Sequence, residues 1–332
     1  MSSSISESST PLSRQYDIQL GKPHEEMEAL KGKIKEHYDI ASDSYLDIWG
    51  EHIHHGYWPT KESEANDSKE TAELNLIHLL LSTSKLDKNL SVLDVGCGVG
   101  GSARYLASTL GCHVTGITIS SRQVELAYSL TKAEVEKAGG SAAEPLDKDD
   151  DGFVQLGAGK VRYLEMDAET MSDHFAGDAG AFDAVWFCES LSHMPNKEKI
   201  FQDVSKLLRP GGKLVLADWF KDEGLTAEDL RNDIKPIEDG MLLPPLCTNQ
   251  DYVRLAKAAG LRLFAKPVDI SSQVKKTWEL TWSLVQNKAV WQFAFTHGRE
   301  AIAFLQSFQS MRSGYDKGSF RYAVMAFQKP GA

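Results

Sequence analysis

The stretch Val92-Leu93-Asp94-Val95-Gly96-Cys97-Gly98-Val99-Gly100-Gly101 contains the pattern that decides the fold of this chain. An apolar run suited to a buried strand ends in a turn with glycine at alternate positions, and a helical pattern over 102–110 follows at once. Glycine allows a sharp turn and lets the backbone approach a ligand that a Cβ would displace. The turn has neither the spacing of the dinucleotide fingerprint nor the Gly-Lys-Ser/Thr ending of a phosphate-binding loop. It predicts either a ligand-binding turn of another kind or an ordinary strand-to-helix connection of an α/β protein.

Length and composition are those of a globular protein with an excess of acidic residues. The 332 residues suffice for one large α/β domain or for one domain with a sizeable insertion. A formal net charge of −11 disfavours nucleic acid and anionic membrane surfaces as partners, because both attract basic faces. No apolar run approaches the roughly 20 residues of a membrane span. We therefore expect a small-molecule partner, no nucleic acid and no membrane span, and the oligomeric state stays open.

Cysteine usage and the N-terminal region indicate a reduced, cytoplasmic protein. The four cysteines (Cys97, Cys112, Cys188 and Cys247) have no CxxC spacing, which predicts neither disulfides nor a structural metal. Residues 1–11 are rich in serine and lack the hydrophobic core of a secretion signal, so that residues 1–24 are predicted to form a disordered tail. The segment 139–159 is rich in Gly, Ala, Asp and Lys and is predicted to be a solvated surface loop.

Strand and helix patterns alternate from residue 91 to about residue 216, which is typical of a parallel sheet wound with helices. Further along, the chain is predicted to be rich in helix until a last alternating strand closes it. Predicted helices cover 102–110, 122–138 and 197–208. The predicted strands cover 91–95, 113–117, 160–166, 182–187, 213–218, 262–267 and 320–328.

These patterns divide the chain into a core and covering segments. The core is predicted over 84–220 and 251–330, with a helical cover over 25–83 and helical cap insertions over 221–250 and 273–312. Ligands bind outside the carboxyl ends of such strands, so that both covers are expected to face the ligand. Seven aromatic residues of the cap are interpreted as core or as lining of an acceptor pocket, with core favoured: Trp278, Trp282, Trp291, Phe293, Phe295, Phe304 and Phe308.

Several ordered motifs resemble one enzyme family. LDVGCGxGG at 93–101 resembles motif I of S-adenosylmethionine-dependent methyltransferases, and GITxSxxQ at 116–123 resembles the variant found in gamma-tocopherol methyltransferases and their cyclopropane-synthase-like relatives. Three further segments of this chain resemble those of the same relatives: WGEHIHHGYW at 49–58, CESLSHMP at 188–195 and FRYAV at 320–324. The resemblance implies a class I methyltransferase with a Rossmann-like, seven-stranded sheet and helices on both faces.

The resemblance also implies S-adenosylmethionine as the cofactor, S-adenosylhomocysteine as the product and a set of residues that bind them. Asp94 is expected near the methionine amino group, with the glycine turn under the amino-acid and ribose parts. Asp167 is expected to accept from the adenine amino group, although such a residue alone is more often a helix cap. The full expected set is His54, Gly56, Asp94, Gly96, Cys97, Gly98, Gly100, Thr118, Ile119, Gln123, Asp167 and Ala168.

Four residues are candidates for catalysis: His193, Tyr38, His55 and Glu189. His193 is the first choice for a base that titrates near neutrality, the alternative being a helix-terminal histidine bonded to backbone. Two adjacent histidines cannot both face inward on a regular strand, so that one of His54 and His55 is expected to face outward. Tyr38 is expected either to guide the acceptor or to be a packed aromatic. Glu189 is expected either to hold the acceptor or to cap the following helix.

One departure from the family pattern narrows the function. The relatives usually have Glu-His where this chain has Ser192-His193, and in cyclopropane synthases that acid helps to hold a bicarbonate base. Its loss argues against cyclopropanation. The leading hypothesis is methyl transfer to an O or N atom, less readily a C atom, of a bulky, apolar or aromatic, natural-product-like acceptor. The alternative is a cyclase or scaffold of the same fold that binds S-adenosylmethionine without methyl transfer.

Overall fold

The computed structural model of the chain describes residues 25–139, 148–285 and 299–331. The expected tail over 1–24 and the aromatic residues Trp291, Phe293 and Phe295 lie outside the described residues, as do the side chains of Trp282 and Phe304. The strands are β1 Ser91–Val95, β2 His113–Thr118, β3 Val154–Leu156, β4 Gly159–Glu165, β5 Phe182–Cys188, β6 Leu208–Lys221, β7 Arg262–Asp269 and β8 Phe320–Gln328.

The helices lie before, between and after these strands. They are α1 Glu25–Trp49, α2 Lys61–Asn66, α3 Lys69–Ser84, α4 Gly101–Leu110, α5 Ser121–Lys137, α6 Met171–His174, α7 Lys197–Leu207, α8 Ala227–Asp229, α9 Lys235–Gly240, α10 Asn249–Ala258, α11 Ser271–Val274, α12 Lys276–Val285 and α13 Arg299–Lys317. The predicted helix-rich region after β6 is therefore confirmed in its described part.

All eight described strands form one mixed sheet in the order β3-β4-β2-β1-β5-β6-β8-β7. The strands from β4 to β6 run parallel, and β8 lies antiparallel between β6 and β7. All seven predicted strands are present, and the predicted α/β architecture is confirmed. The predicted loop over 139–159 is wrong at Val154–Leu156, because this short edge strand pairs antiparallel with β4 and buries Val154 and Leu156.

Strand β1 shows why the sheet has helices on both faces. Its residues alternate in direction, so that Val92 belongs to one buried cluster and Leu93 and Val95 to the other. Helix α4 begins directly after the glycine turn and packs against β2 and β4. The carboxyl ends of β1, β2, β4 and β5 consequently meet at one edge, where loops rather than helices carry the side chains.

Helix α1 lies over that edge and contributes a small apolar cluster of its own. Met27, Leu30 and Ile34 are buried there, and Tyr38 and Leu242 pack against them. Helix α3 packs instead against β6 and β8, on the sheet itself. The described helices include none with the length and apolarity of a membrane span.

Candidate cofactor and acceptor site

A cavity that is partly open to solvent lies at the carboxyl edge of the sheet. It brings together residues that are far apart in the sequence and that come from α1, the glycine turn and the loops after β2, β4 and β5. The predicted site residues that line it are Tyr38, Gly96, Gly98, Thr118, Ile119, Gln123, Asp167, Ala168, Glu189 and His193. Six further predicted residues do not line it: His54, His55, Gly56, Asp94, Cys97 and Gly100.

The three alternating glycines of the turn have different surroundings. Gly98 has a φ of +54°, and a Cβ added there would meet no atom within 4 Å. A Cβ on Gly96 would lie 2.3 Å from Ser190 Cβ, and one on Gly100 would lie 2.7 Å from the Tyr163 ring. Gly98 therefore leaves space in the cavity for a ligand, whereas Gly96 and Gly100 allow neighbouring protein groups to pack closely.

Asp94 is a buried carboxyl group with one unsatisfied oxygen. Asp94 is 2% exposed, and its Oδ2 has no hydrogen-bond partner among the described residues. Burial raises the pKa of Asp94 to about 7. A ligand ammonium group at Oδ2 would satisfy this oxygen and stabilise its charge, so the residue fits the position expected beside a methionine amino group.

Thr118 and Gln123 interact where a ribose is expected. The Thr118 hydroxyl donates to Gln123 Oε1, and the Gln123 backbone N–H donates to Ser120 Oγ at 3.2 Å. These contacts occupy the amide oxygen of Gln123 and leave its NH2 group as the donor for a ligand hydroxyl. The pair is uncharged, as the sequence predicts for this loop.

Asp167, the expected adenine acceptor, already has partners on both oxygens. Its Oδ1 accepts from the Glu169 backbone N–H at 2.9 Å, and its Oδ2 accepts from Lys31 Nζ at 3.0 Å. Lys31 also donates to Glu169 Oε2 at 2.9 Å. Sequence reasoning missed Lys31 and Glu169. A signal for Lys31 was present, because charged residues recur on α1 at every fourth position from Lys31 to Asp43.

The adjacent histidines His54 and His55 are both buried, at 6% and 2% exposure, so the prediction that one faces outward is wrong. Their segment lies between α1 and α2 and is irregular rather than a strand, so alternation does not apply. His54 Nδ1 lies 3.0 Å from the His55 carbonyl oxygen, and its Nε2 has no partner among the described residues. Gly56 allows close packing against Trp58 and Ala72.

Glu189 is the focus of a buried polar network. The His55 backbone N–H donates to its Oε1 at 2.6 Å, and His55 Nδ1 lies 2.9 Å from its Oε2. The Tyr322 hydroxyl donates to Oε1 at 2.7 Å. Burial alone would raise the pKa of Glu189, but the interaction with His55 outweighs burial and lowers it. The cavity therefore contains a fixed carboxylate at this point.

His193 and Tyr38 face each other across the cavity wall, with ring centroids 6.1 Å apart. Burial, reinforced by Lys197, lowers the pKa of His193 to about 3, so the prediction that it titrates near neutrality is wrong. His193 Nδ1 has no partner among the described residues. Burial and the Glu189 charge raise the pKa of Tyr38 to about 12. At neutral pH the site holds a neutral imidazole beside a protonated phenol.

Lys197 fixes the segment that carries His193. It is 1% exposed, and its Nζ donates to the carbonyl oxygens of Ser192 at 3.1 Å and Met194 at 2.9 Å. The Ser192 backbone N–H donates to Asp218 Oδ2 at 2.7 Å. Ser192, which stands where the relatives usually have a glutamate, therefore contributes its backbone N–H and carbonyl groups to these contacts.

A second, much smaller cavity adjoins the first and shares Ile34, Tyr38 and His193 with it. None of its described lining residues is Asp, Glu, Lys or Arg; they are Ile34, His37, Tyr38, Tyr45, His193, Gly240, Met241 and Leu242. Trp278 and Phe308 line neither cavity; both are buried, with ring centroids 5.1 Å apart. These two aromatics are therefore core, as the interpretation favoured.

Comparison with known proteins places the chain in a family. A family model described as a methyltransferase domain matches residues 68–266. The probable tocopherol O-methyltransferase, chloroplastic, of Oryza sativa subsp. japonica is 30% identical over 315 residues, which cover 91% of this chain and 79% of that protein. The 27-O-demethylrifamycin SV methyltransferase of Amycolatopsis mediterranei is 28% identical and covers 90% of this chain and 97% of that protein. The solved structure of the cyclase SpnF has a TM-score of 0.67 at 22% identity and covers 91% of this chain and 97% of that chain.

The chain therefore belongs to the methyltransferase-domain family. It is a class I S-adenosylmethionine-dependent methyltransferase that resembles the tocopherol-type small-molecule enzymes, as its motifs predict. The SpnF likeness concerns the fold alone.

Proposed function

We propose that this methyltransferase acts on a hydroxyl oxygen of a neutral, aromatic or apolar small molecule that binds where the first cavity meets the second. The observation that carries the proposal is the absence of Asp, Glu, Lys and Arg among the described lining residues of the second cavity, together with its direct contact with the first. Phosphate or carboxylate acceptors need a cationic partner, and ammonium acceptors need an anionic one. The names of the rice and Amycolatopsis relatives, both methyltransferases and the former an O-methyltransferase, support oxygen as the target.

S-adenosylmethionine supplies, when bound, a methyl group on a sulfonium sulfur. In this proposal Asp94 holds the ammonium group, Gly98 gives room for the amino-acid part, and Thr118 and Gln123 bind the ribose. Asp167 and the Ala168 amide bind adenine. Helix α1 covers part of the cavity through Ile34 and Tyr38. This cover limits the access of water and helps to align the acceptor.

His193 would receive the proton of the acceptor hydroxyl as that oxygen bonds to the methyl carbon and the sulfur–methyl bond breaks, leaving a thioether. With a pKa of about 3, its imidazole cannot deprotonate the acceptor beforehand. Against a phenol of pKa about 10, such a step would cost about 10 kcal/mol. Proton transfer is therefore concerted with methyl transfer, where the oxygen becomes strongly acidic. Because the pKa of His193 lies far below the operating pH, its contribution is expected at the low end for a general base, about 10²-fold.

The acceptor class is tested with purified protein, methyl-labelled S-adenosylmethionine and three matched aromatic acceptors that differ only in one group: a neutral phenol, an arylamine and a carboxylated phenol. Mass spectrometry is expected to find the label on the oxygen of the neutral phenol. Label confined to the amine or to the charged compound contradicts the proposal. Cofactor binding without label in any acceptor favours the non-methylating cyclase or scaffold.

The second cavity is tested by narrowing it. Leu242→Phe is expected to raise the acceptor KM several-fold and to change cofactor affinity much less, because Leu242 lines the second cavity and reaches the first only through its packing against α1. The matched control is Leu263→Phe on β7, where the native side chain is 41% exposed. An equal effect of both changes, or an effect on cofactor affinity alone, argues against this acceptor site.

We also propose a cytoplasmic location, although the rice relative is named chloroplastic.

A further inference from the structure

We propose that Glu189, held in place by His55 and Tyr322, makes the site select the cationic cofactor over the neutral product of its reaction. The inference rests on S-adenosylmethionine as the cofactor and is independent of the acceptor. It assigns His55 and Tyr322 as positioning residues and Glu189 as the charge that they position.

The backbone of Glu189 is held in an unusual conformation. Its φ is +57°, a left-handed value that a glutamate rarely adopts. The residue follows β5, and its N–H donates to the Ala217 carbonyl oxygen at 2.8 Å. Such a conformation persists when surrounding contacts over-determine it.

Those contacts come from two distant elements. His55 lies in the segment between α1 and α2 and supplies two donors, its backbone N–H and Nδ1. Tyr322 lies on β8 and supplies a third, the hydroxyl. Three donors on two oxygens leave little freedom for the carboxylate, whose position at the cavity wall is thereby fixed.

The charge of Glu189 is not neutralised by a lysine or arginine of the described chain. Its ion-pair partner there is His55. The lysine that lines the cavity, Lys31, is paired with Asp167 and Glu169. The other ring nitrogen of His55, Nε2, lies 3.4 Å from Tyr315 Oη, so that the imidazole has a neighbour on each side.

A fixed negative charge in a buried cavity distinguishes two ligands that are otherwise alike. S-adenosylmethionine carries a sulfonium cation, and S-adenosylhomocysteine has a neutral thioether in its place. The residues expected to contact the amino-acid, ribose and adenine parts treat both ligands equally. A buried carboxylate attracts the cation through a medium of low dielectric and gains nothing from the thioether. Methyl transfer removes the cation, so the attraction that favours binding before the reaction is lost after it.

The test is the ratio of two dissociation constants, measured by titration calorimetry on the full chain without acceptor. Glu189→Gln keeps the shape of the side chain and removes the charge. It is expected to lower Kd(S-adenosylhomocysteine)/Kd(S-adenosylmethionine) by about tenfold, chiefly by weakening S-adenosylmethionine. Tyr322→Phe removes one donor and is expected to lower the ratio by about threefold.

The matched control is Tyr128→Phe, which removes a tyrosine hydroxyl bonded elsewhere in the fold, to the backbone of Tyr163. Its ratio is expected to equal that of the native chain. The proposal is overturned if Glu189→Gln changes both dissociation constants by the same factor, or changes neither. Should Glu189→Gln fail to fold, the Tyr322→Phe ratio decides alone. Because no acceptor is present, this outcome is separate from the outcome of the acceptor test.

Discussion

Lys31 Nζ lies 3.0 Å from Asp167 Oδ2, so that helix α1 is ion-paired to the carboxylate expected to bind adenine. Further along the same face of α1, Lys35 donates to Glu165 and Asp39 accepts from the Ser120 hydroxyl, both at 2.6 Å. Helix α1 is therefore attached over the cofactor cavity by polar contacts at regular intervals, in addition to its small apolar cluster.

Removal of the Lys31 contacts is expected to loosen α1. Lys31→Met should speed the dissociation of S-adenosylhomocysteine several-fold and make its rate less sensitive to salt, because ion pairs at the surface weaken as salt rises. Stopped-flow displacement measures this rate. The control is Lys61→Met, at an exposed position on α2. Equal rates and equal salt dependence in both variants would show that the Lys31 pairs do not hold α1 closed.

Cofactor affinity is expected to depend on pH through Asp94. Burial raises the pKa of this carboxyl to about 7, so below pH 7 it is mostly protonated and must lose a proton to pair with an ammonium group. Affinity should therefore fall by up to about tenfold for each pH unit between 7 and 5. Calorimetry at several pH values tests this. Asp94→Asn should bind weakly with a flat profile, and a native profile that is also flat would contradict the role of Asp94.

His193 is expected to govern turnover without a titration near neutrality. Its pKa is lowered to about 3 by burial, so it stays neutral from pH 5 to 8. His193→Ala should lower kcat by about 10²-fold, the low end for a general base, and leave cofactor Kd nearly unchanged. Profiles of kcat at saturating cofactor should show no acidic limb that the substitution removes. Such a limb near pH 6.5 would mean that His193 titrates as an exposed histidine does.

Acid should also destabilise the fold through His193. The imidazole has a lower pKa in the folded chain than the ordinary value of 6.5, so the unfolded chain binds more protons between these values. Its contribution to the free energy of unfolding is fully present above pH 6.5 and is lost as pH falls toward about 3, at up to about 1.4 kcal/mol per pH unit. Urea unfolding of the native chain and His193→Ala at pH 7 and 5 measures the difference, which should be smaller for the variant. An equal loss in both would contradict burial of a neutral His193.

Two glycines of the turn form a matched pair for separating stability from binding. Gly100→Ala places a Cβ 2.7 Å from the Tyr163 ring at a φ of +80°, and should lower the free energy of unfolding by about 2 kcal/mol or more. Gly98→Ala meets no protein atom, so it should cost only about 1 kcal/mol while weakening cofactor binding strongly. Thermal melting and calorimetry measure both. The reverse pattern would place the ligand beside Gly100.

Regular elements and local turns were the predictable part of this molecule. The apolar strands, the glycine turn and Ser120, which caps α5 by accepting from the Gln123 N–H, all follow from residues near one another in the sequence. Strand β3 was missed because a three-residue edge strand gives too short an alternation within a polar segment. Its signal was the Val-Gln-Leu-Gly sequence that precedes a tight turn into β4.

The electrostatics of the site depend on distant contacts and were not predictable in this way. The His55–Glu189 contact joins residues 134 positions apart, and the Tyr322–Glu189 contact joins residues 133 positions apart. The low pKa of His193 arises from burial by several elements at once, which no local pattern reports. The motifs identify the site residues, whereas the pKa values of those residues depend on how the folded chain packs around them.

The central claim, methyl transfer to oxygen of a neutral acceptor, is tested most directly by one measurement. The purified protein is incubated with methyl-labelled S-adenosylmethionine and an extract of its source, and small molecules are searched for label by mass spectrometry. The account predicts a labelled neutral methyl ether, formed by the native chain and lost in His193→Ala. Tight cofactor binding with no labelled product, or label found only in charged or nitrogen-methylated compounds, would contradict it.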